Sequence, residues 1–217
     1  MYLYFEEDGA FKAGTVVSET GNAYQVTVTT GRRTKIKAAK VFFTFESPAP
    51  AELLEAAEKT SAELDPGFLW EVAPEGDFSF EDIAKEYWGT APTPVERAAV
   101  LLALHGNPVY FHRKGRGMYR RAPDEILRQA LEALERNRIA ALKKPLLAKL
   151  AKVEKEMGKV SEELASLDAQ LADTAWYEKT PAETVADVTR RRGEAAGVLE
   201  ELEAQWLEVS EQIEACV

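Results

Sequence analysis

The chain has 217 residues and a formal net charge of -10; 46% of its residues are hydrophobic and 29% are charged. This length is enough to bury a core without disulfides, in one large or two small domains. No run of about 18 apolar residues occurs, which excludes a membrane-spanning helix. The N-terminal MYLYFEEDG lacks the signal-peptide pattern and the single Cys216 has no partner, so we expect a reducing, cytoplasmic setting.

Acidic residues are concentrated in the C-terminal third of the chain. Residues 146–217 contain 8 Lys/Arg and 16 Asp/Glu, whereas residues 1–145 contain 19 and 21. The N-terminal two thirds are therefore nearly neutral and can carry local basic patches.

Residues 1–47 predict a small β-barrel of the SH3-like type. Five short runs rich in Val, Tyr, Thr and Phe are separated by turn signals that include Asp8-Gly9 and Gly21-Asn22. The runs are Tyr2–Phe5, Ala13–Ser18, Ala23–Thr30, Arg33–Ala38 and Val41–Phe45.

The fourth of these runs places three basic side chains on one face, because the side chains of a strand alternate between its two faces. They are Arg33, Lys35 and Lys37, and Arg32 and Lys40 extend the patch. Two interpretations remain open: a nucleic-acid surface, or an edge strand that its lysines protect from pairing with other chains.

Residues 48–123 predict a winged-helix module. After two helices at Ala51–Leu64 and Phe68–Val72, capping boxes at Ser79 and Thr93 open two more. The last of these helices, VERAAVLLALH, must be mostly core. Arg97 is its main polar side chain that could reach the edge of a nucleic-acid base.

A basic hairpin follows at Asn107–Pro123, in which two β-forming runs flank Lys114-Gly115-Arg116-Gly117. It contains five basic residues and no Asp or Glu. The basic residues are Arg113, Lys114, Arg116, Arg120 and Arg121. A basic, aromatic-containing hairpin after a helix-turn-helix is typical of a wing that holds nucleic-acid backbone. A solvated hairpin is the alternative.

Residues 124–145 predict a connecting helix, and residues 146–217 predict an antiparallel coiled-coil hairpin. Apolar residues recur there in alternating steps of three and four, which is a heptad seam. The first seam comprises Leu150, Val153, Met157, Val160, Leu164, Leu167 and Leu171. The second comprises Val185, Val188, Arg192, Ala195, Leu199, Leu202, Trp206, Val209, Ile213 and Cys216.

Two details of this hairpin are open to test. Thr180 and Glu183 fit a third capping box. Arg192 lies on the second seam, either as a polar contact that sets the register or as a loosely packed position.

No sequence pattern predicts catalysis, so we expect no enzyme activity, no cofactor and no metal. The phosphate-binding pattern GxxxxGK[ST] is absent, and neither histidine has a metal-ligand neighbour. The acidic clusters Glu6-Glu7-Asp8 and Glu81-Asp82 are interpreted as solvated or helix-capping.

Four segments of residues 1 to about 140 carry a family resemblance: YFEEDGAFKAGTVVSE, GRRTKIKAAKVFFTFESPAPAELL, FLWEVAP and PVYFHRKGRGMYRRAPDEIL. This part resembles the N-terminal region of bacterial RNB-type exoribonucleases of the ribonuclease II family. The resemblance implies a barrel and winged helix that guide RNA toward a nuclease centre. The family's catalytic Asp cluster lies in a domain that these residues do not include.

From about residue 138 the chain resembles the C-terminal coiled-coil domain of ABC-F ATPases, through RIAALKKPLLAKLAKVEKEM, ADTAWYE and LEAQWLEVSEQIEA. This resemblance implies an arm associated with nucleic acid or the ribosome.

These patterns together predict an α+β protein that binds RNA without catalysis. The predicted contacts are Arg113, Lys114, Arg116, Arg120, Arg121, Arg32, Arg33, Lys35 and Lys37. The hypothesis requires that these cations are not neutralised by the chain's own carboxylates. The alternatives are a protein-interaction or dimerisation module, with a partner at the coiled coil, and part of a 3'-5' exoribonuclease whose catalytic domain is absent here.

Overall fold

The computed structural model describes residues 1–216, which form an α+β protein with antiparallel sheets. By internal contacts the chain divides into two compact units, Met1–Leu131 and Glu132–Val217. None of the helices within residues 1–216 combines the length and the apolar composition needed to cross a membrane.

The strands are β1 Tyr2–Glu7, β2 Ala10–Thr20, β3 Ala23–Val28, β4 Arg33–Lys37, β5 Val41–Phe45, β6 Asp77–Ser79, β7 Phe111–Gly115 and β8 Met118–Arg121. The helices are α1 Pro50–Glu63, α2 Pro66–Val72, α3 Phe80–Trp88, α4 Pro94–Gly106, α5 Asp124–Ala172, α6 Thr174–Lys179 and α7 Ala182–Glu214. A 3-10 turn at Ala38–Lys40 joins β4 to β5. The five predicted N-terminal strands are confirmed, with bounds that differ by a few residues.

The first sheet has the strand order β4-β3-β2-β1-β5, and both faces of β1 are buried. Leu3 and Phe5 belong to a cluster made only of residues from this sheet and its connections. Tyr4 points to the opposite face, where its ring lies 5.2 Å from that of Phe43 in a larger core shared with the helices. The alternation of side chains along a strand explains why one short strand serves two cores.

Helices α3 and α4 begin at the capping boxes that the sequence predicts. Ser79 Oγ accepts a hydrogen bond from the Asp82 N–H at 3.2 Å, and Thr93 Oγ1 accepts one from the Glu96 N–H at 3.3 Å. The interpretation of α4 as mostly core is also confirmed, since its residues Ala98, Ala99, Val100, Leu101, Ala103 and Leu104 are buried.

The second sheet has the strand order β6-β8-β7. Strand β6 is not predicted from the sequence, because three residues are too few to display the alternation that marks a strand. Phe78 of β6 pairs with Tyr119 of β8, and both side chains are buried. The pairing therefore joins the hairpin β7–β8 to the start of α3.

Helix α5 is continuous, and Pro145 lies inside it. Residues 124–145 and 146–172 are therefore parts of one helix. A proline in a helix interior removes one backbone hydrogen bond but does not have to end a helix that its neighbours support.

Helices α5 and α7 contact each other within the unit Glu132–Val217. The polar contacts are hydrogen bonds from Trp206 to Glu154 (3.1 Å), from Arg191 to Glu163 (3.0 Å) and from Arg192 to Asp168 (2.9 Å). Earlier residues of α7 contact later residues of α5, so the two helices run in opposite directions. The buried residues among those described in this unit all lie on the predicted seams: Val153, Leu167, Val188, Ala195 and Val209.

The predicted capping box at Thr180 is wrong. Helix α7 has Pro181 at its N-cap position and no side-chain cap. The Thr180 hydroxyl instead donates to the Trp176 carbonyl oxygen at 2.6 Å. Carbonyl groups in the last turn of a helix lack hydrogen-bond partners within the helix. The Trp176 carbonyl of α6 is such a group, and it accepts the hydrogen bond from Thr180.

Candidate nucleic-acid interface

The basic hairpin β7–β8 is held firmly by the core of the unit Met1–Leu131. Phe111 at the start of β7 and Tyr119 in β8 are buried, and β8 also pairs with β6. Burial raises the pKa of Tyr119 to about 12, so its hydroxyl stays neutral around pH 7. The hairpin therefore presents its basic side chains from a fixed backbone.

Gly117 fixes the turn of this hairpin against its surroundings. Its carbonyl oxygen accepts a hydrogen bond from the Phe80 N–H at 2.9 Å, and its φ is +65°. A Cβ at this position would lie 2.8 Å from the Phe80 ring and 3.5 Å from the Phe42 ring. Only glycine combines this backbone conformation with so close an approach. The turn is thus packed on α3 and on β5 of the first sheet.

Four of the nine predicted contact residues form ion pairs with carboxylates. The pairs are Arg113–Glu6 (2.6 Å), Arg120–Asp77 (2.6 Å), Arg121–Glu75 (3.4 Å) and Arg32–Glu7 (2.8 Å). Each carboxylate offsets part of the attraction that its partner would exert on a phosphate group. The interpretation of the acidic cluster at residues 6–8 as solvated or capping is wrong for two of its members, because only 22% of the Glu6 side chain and 12% of the Glu7 side chain are exposed.

Glu7 connects three segments of the first sheet. It accepts hydrogen bonds from Lys12 Nζ at 2.7 Å, from Thr34 Oγ1 at 2.7 Å and from Arg32 Nη2 at 2.8 Å. The bonds from Lys12 and Thr34 hold the pKa of Glu7 below its ordinary value of 4.5. Arg32 therefore has a structural partner, which the local sequence does not indicate.

The other five predicted residues have no carboxylate partner within residues 1–216, and all five are exposed. They are Arg33, Lys35, Lys37, Lys114 and Arg116. The first three alternate with Thr34 and the buried Ile36 along β4, an edge strand of the first sheet, as the sequence predicts.

Arg116 joins the two predicted basic patches. Its Nη1 donates a hydrogen bond to the carbonyl oxygen of Ala38 at 3.0 Å, across 78 positions of sequence. Ala38 directly follows Lys37, the last residue of β4. The arginine of the hairpin turn therefore lies beside the end of the basic strand. No local pattern could have predicted this contact.

A cleft of about 270 Å³ lies beside this contact. Its lining residues are Glu6, Asp8, Gly9, Ala39, Lys40, Arg113 and Arg116. The lining combines two carboxylates with three cations, so the cleft itself is a weak anion site. The excess of positive charge lies outside it, along β4 and at Lys114.

Helix α4 does not contribute a free arginine to this surface. Arg97 is paired with Glu81, and its guanidinium carbon lies 4.0 Å from the centre of the Phe43 ring. This cation–π contact and the ion pair hold Arg97 against the core. Glu81, interpreted from the sequence as solvated or capping, is instead an ion-pair partner.

Within residues 1–216, no group of three or more His, Cys, Asp or Glu side chains is arranged to hold a metal ion. Separately, the five exposed cations present ammonium and guanidinium groups, which can bind phosphates through charge. No protein-family model, curated protein or solved structure matches this chain, so both family resemblances stay predictions.

Proposed function

We propose that this chain is a non-catalytic RNA-binding protein. In this proposal the first sheet is a small SH3-like barrel, and residues 48–123 are a winged helix with β7–β8 as the wing. Helices α5 and α7 form an antiparallel coiled-coil hairpin that serves as a spacer or docking arm.

Three features support this architecture. The first sheet packs a cluster of its own apolar residues together, which is what a small barrel requires. Two capped helices precede a hairpin that pairs with a third strand, which is the winged-helix order. The buried side chains of α5 and α7 recur with heptad spacing.

The contact between Arg116 and Ala38 is the observation that carries the proposed binding role. Phosphate binding needs several cations along the path of one strand, since each contact contributes little alone. With this contact, the exposed cations of β4 and the hairpin turn adjoin each other. We assign the RNA contacts to Arg33, Lys35, Lys37, Lys114 and Arg116, with Lys40 beside them. The paired residues Arg32, Arg113, Arg120 and Arg121 position this surface.

The test removes the cations of β4 from the full chain. The variant Arg33→Ala/Lys35→Ala/Lys37→Ala is compared with Lys149→Ala/Lys152→Ala/Lys155→Ala, which removes the same charge from α5. Fluorescence anisotropy measures the affinity for a labelled single-stranded RNA of mixed sequence over a range of salt concentrations. Losing three phosphate contacts lowers the slope of log affinity against log salt by about 2, at roughly 0.7 per contact.

The expected result is a weaker affinity and a lower slope in the β4 variant, with little change in the α5 variant. The loss is similar for RNAs of different sequence, because phosphates carry no sequence information. An unchanged affinity in the β4 variant, or an equal loss in both variants, contradicts the assigned surface.

A second candidate is a protein-interaction or dimerisation module. Exposed apolar side chains in the unit Glu132–Val217 favour it: Leu142, Leu147, Val198 and Leu207. Light scattering separates the two candidates. A monomer that binds RNA supports the first, and an elongated dimer that is indifferent to RNA supports the second.

A further inference from the structure

An aromatic cluster lies on α2 and α3 of the unit Met1–Leu131. The Phe68 and Tyr87 rings are 5.8 Å apart in an edge-to-face arrangement, and the Tyr87 and Trp88 rings are 4.6 Å apart. Phe68 is 50% exposed and Tyr87 is 39% exposed. Contiguous aromatic side chains left in water on a folded surface mark a binding site more often than single exposed apolar residues do.

The cluster is rigidly supported. The Phe68 N–H donates to Asp65 Oδ1 at 2.8 Å, which caps the start of α2. Trp88 is partly buried against the main core, and Gly89, with a φ of +97°, ends α3 directly after it. The three rings are therefore carried by helices of defined ends, one of which packs on the main core through Trp88.

The chain around the cluster is acidic. Residues 63–90 contain eight Asp or Glu and one base, Lys85. Five of these acids are exposed and have no ion-pair partner within residues 1–216: Glu63, Asp65, Glu71, Asp82 and Glu86. Glu71 lies three residues after Phe68 on the same face of α2, and Glu86 precedes Tyr87. This charge repels a nucleic-acid backbone and attracts a cationic partner.

We propose that the Phe68–Tyr87–Trp88 cluster is a docking site for a basic, proline-rich segment of a partner protein. Proline-rich segments adopt an extended helix that docks on exposed aromatic rings. Arginine side chains gain cation–π contact with the same rings and ion pairs with the acids around them. This site shares no residue with the proposed RNA surface, and the proposal does not depend on RNA binding.

The test measures binding of a fluorescent synthetic peptide of repeated Pro-Pro-Arg triplets to the full chain by anisotropy. Two peptides serve as ligand controls: one with Glu in place of each Arg, and one with Gly in place of each Pro. The intact chain is expected to bind the Pro-Pro-Arg peptide best. The variant Phe68→Ala/Tyr87→Ala is expected to lose about tenfold or more in affinity, as for central aromatic contacts in other interfaces.

Two further variants separate a binding role from a structural one. Tyr87→Phe keeps the ring and is expected to keep the affinity. Glu71→Gln/Glu86→Gln keeps the aromatic cluster. This variant is expected to have a lower affinity for the peptide, and its affinity is expected to depend less on salt concentration. Tyr177→Ala removes an exposed aromatic ring in the unit Glu132–Val217 and is the matched control, with no expected change.

Failure of the intact chain to bind the Pro-Pro-Arg peptide overturns the proposal, as does an equal loss in Tyr177→Ala. The same single-stranded RNA titration is run on Phe68→Ala/Tyr87→Ala. If this variant loses RNA affinity and keeps peptide affinity, the cluster stacks on bases and the protein-docking proposal is wrong. The β4 variant is expected to bind the peptide normally, so this proposal and the RNA proposal can fail separately.

Discussion

The units Met1–Leu131 and Glu132–Val217 bury their apolar side chains in different ways. The first contains two clusters, the larger of which combines side chains from both sheets and from helices α1 to α4. The second buries only five of its described residues, all along the contact between α5 and α7. A seam between two helices covers each side chain on fewer sides than a core does. Single substitutions should therefore cost more in the first unit.

The two units also differ in how far apart in the sequence their ion-paired residues lie. In Met1–Leu131 the pair Arg113–Glu6 joins residues 107 positions apart. In Glu132–Val217 several pairs join residues three or four positions apart on one helix, as Glu135 and Arg138 do. Pairs of the second kind can be found by inspecting the sequence, whereas those of the first kind depend on the fold. It follows that a basic residue in the first unit cannot be assumed, from the sequence alone, to be free to bind a ligand.

The largest expected effect comes from the substitution of a core leucine. Leu104→Ala, at a fully buried position of α4, is expected to lower the free energy of unfolding by about 2–5 kcal/mol. Leu207→Ala, at a position of α7 that is 55% exposed, is expected to change it by less than about 0.5 kcal/mol. Urea unfolding followed by circular dichroism measures both. Similar losses at the two positions contradict the comparison.

A smaller effect is expected from Pro145→Ala in α5. Proline lacks the N–H that would bond to the carbonyl oxygen of Ala141, so its replacement is expected to stabilise the helix by up to about 3 kcal/mol. The matched control is Pro94→Ala, because Pro94 is at the start of α4, where that N–H has no helical partner. Thermal unfolding followed by far-ultraviolet circular dichroism should show a higher midpoint for Pro145→Ala alone. A lower midpoint would mean that Pro145 is needed for a bend in α5.

The smallest effect is expected from Glu7→Gln, and it depends on pH. The pKa of Glu7 is lowered in the folded protein, chiefly by the hydrogen bond from Lys12. Its stabilising contribution is therefore complete above the ordinary value of 4.5 and is lost as the pH falls through the lower folded value. Glu7→Gln is expected to lose about 1 kcal/mol or less at neutral pH and to depend less on pH than the parent chain.

Urea midpoints measured at about pH 7 and at about pH 3 test this prediction. The control is Glu156→Gln, which removes an exposed pair with Lys159 on α5. An equal change in acid sensitivity for the two variants would show that the network at Glu7 is no stronger than a surface pair.

Much of the local structure could be predicted from the residue pattern. The five N-terminal strands, the capping boxes at Ser79 and Thr93, and the buried face of α4 are each encoded within a few consecutive residues. Alternation, capping and heptad spacing are short-range signals, which explains why they can be recognised without a fold. Thr180 is the exception, because its hydroxyl had two possible partners and the pattern suggested the wrong one.

The candidate site was only half predictable. The sequence by itself determined which residues carry positive charge and that Arg33, Lys35 and Lys37 share one face of a strand. Only the tertiary structure decided that Arg32 and Arg113 are paired with Glu7 and Glu6, and that Arg116 lies against Ala38. Ion pairs and hydrogen bonds between distant segments depend on where the backbone brings those segments together, and that is set by the packing of the whole core.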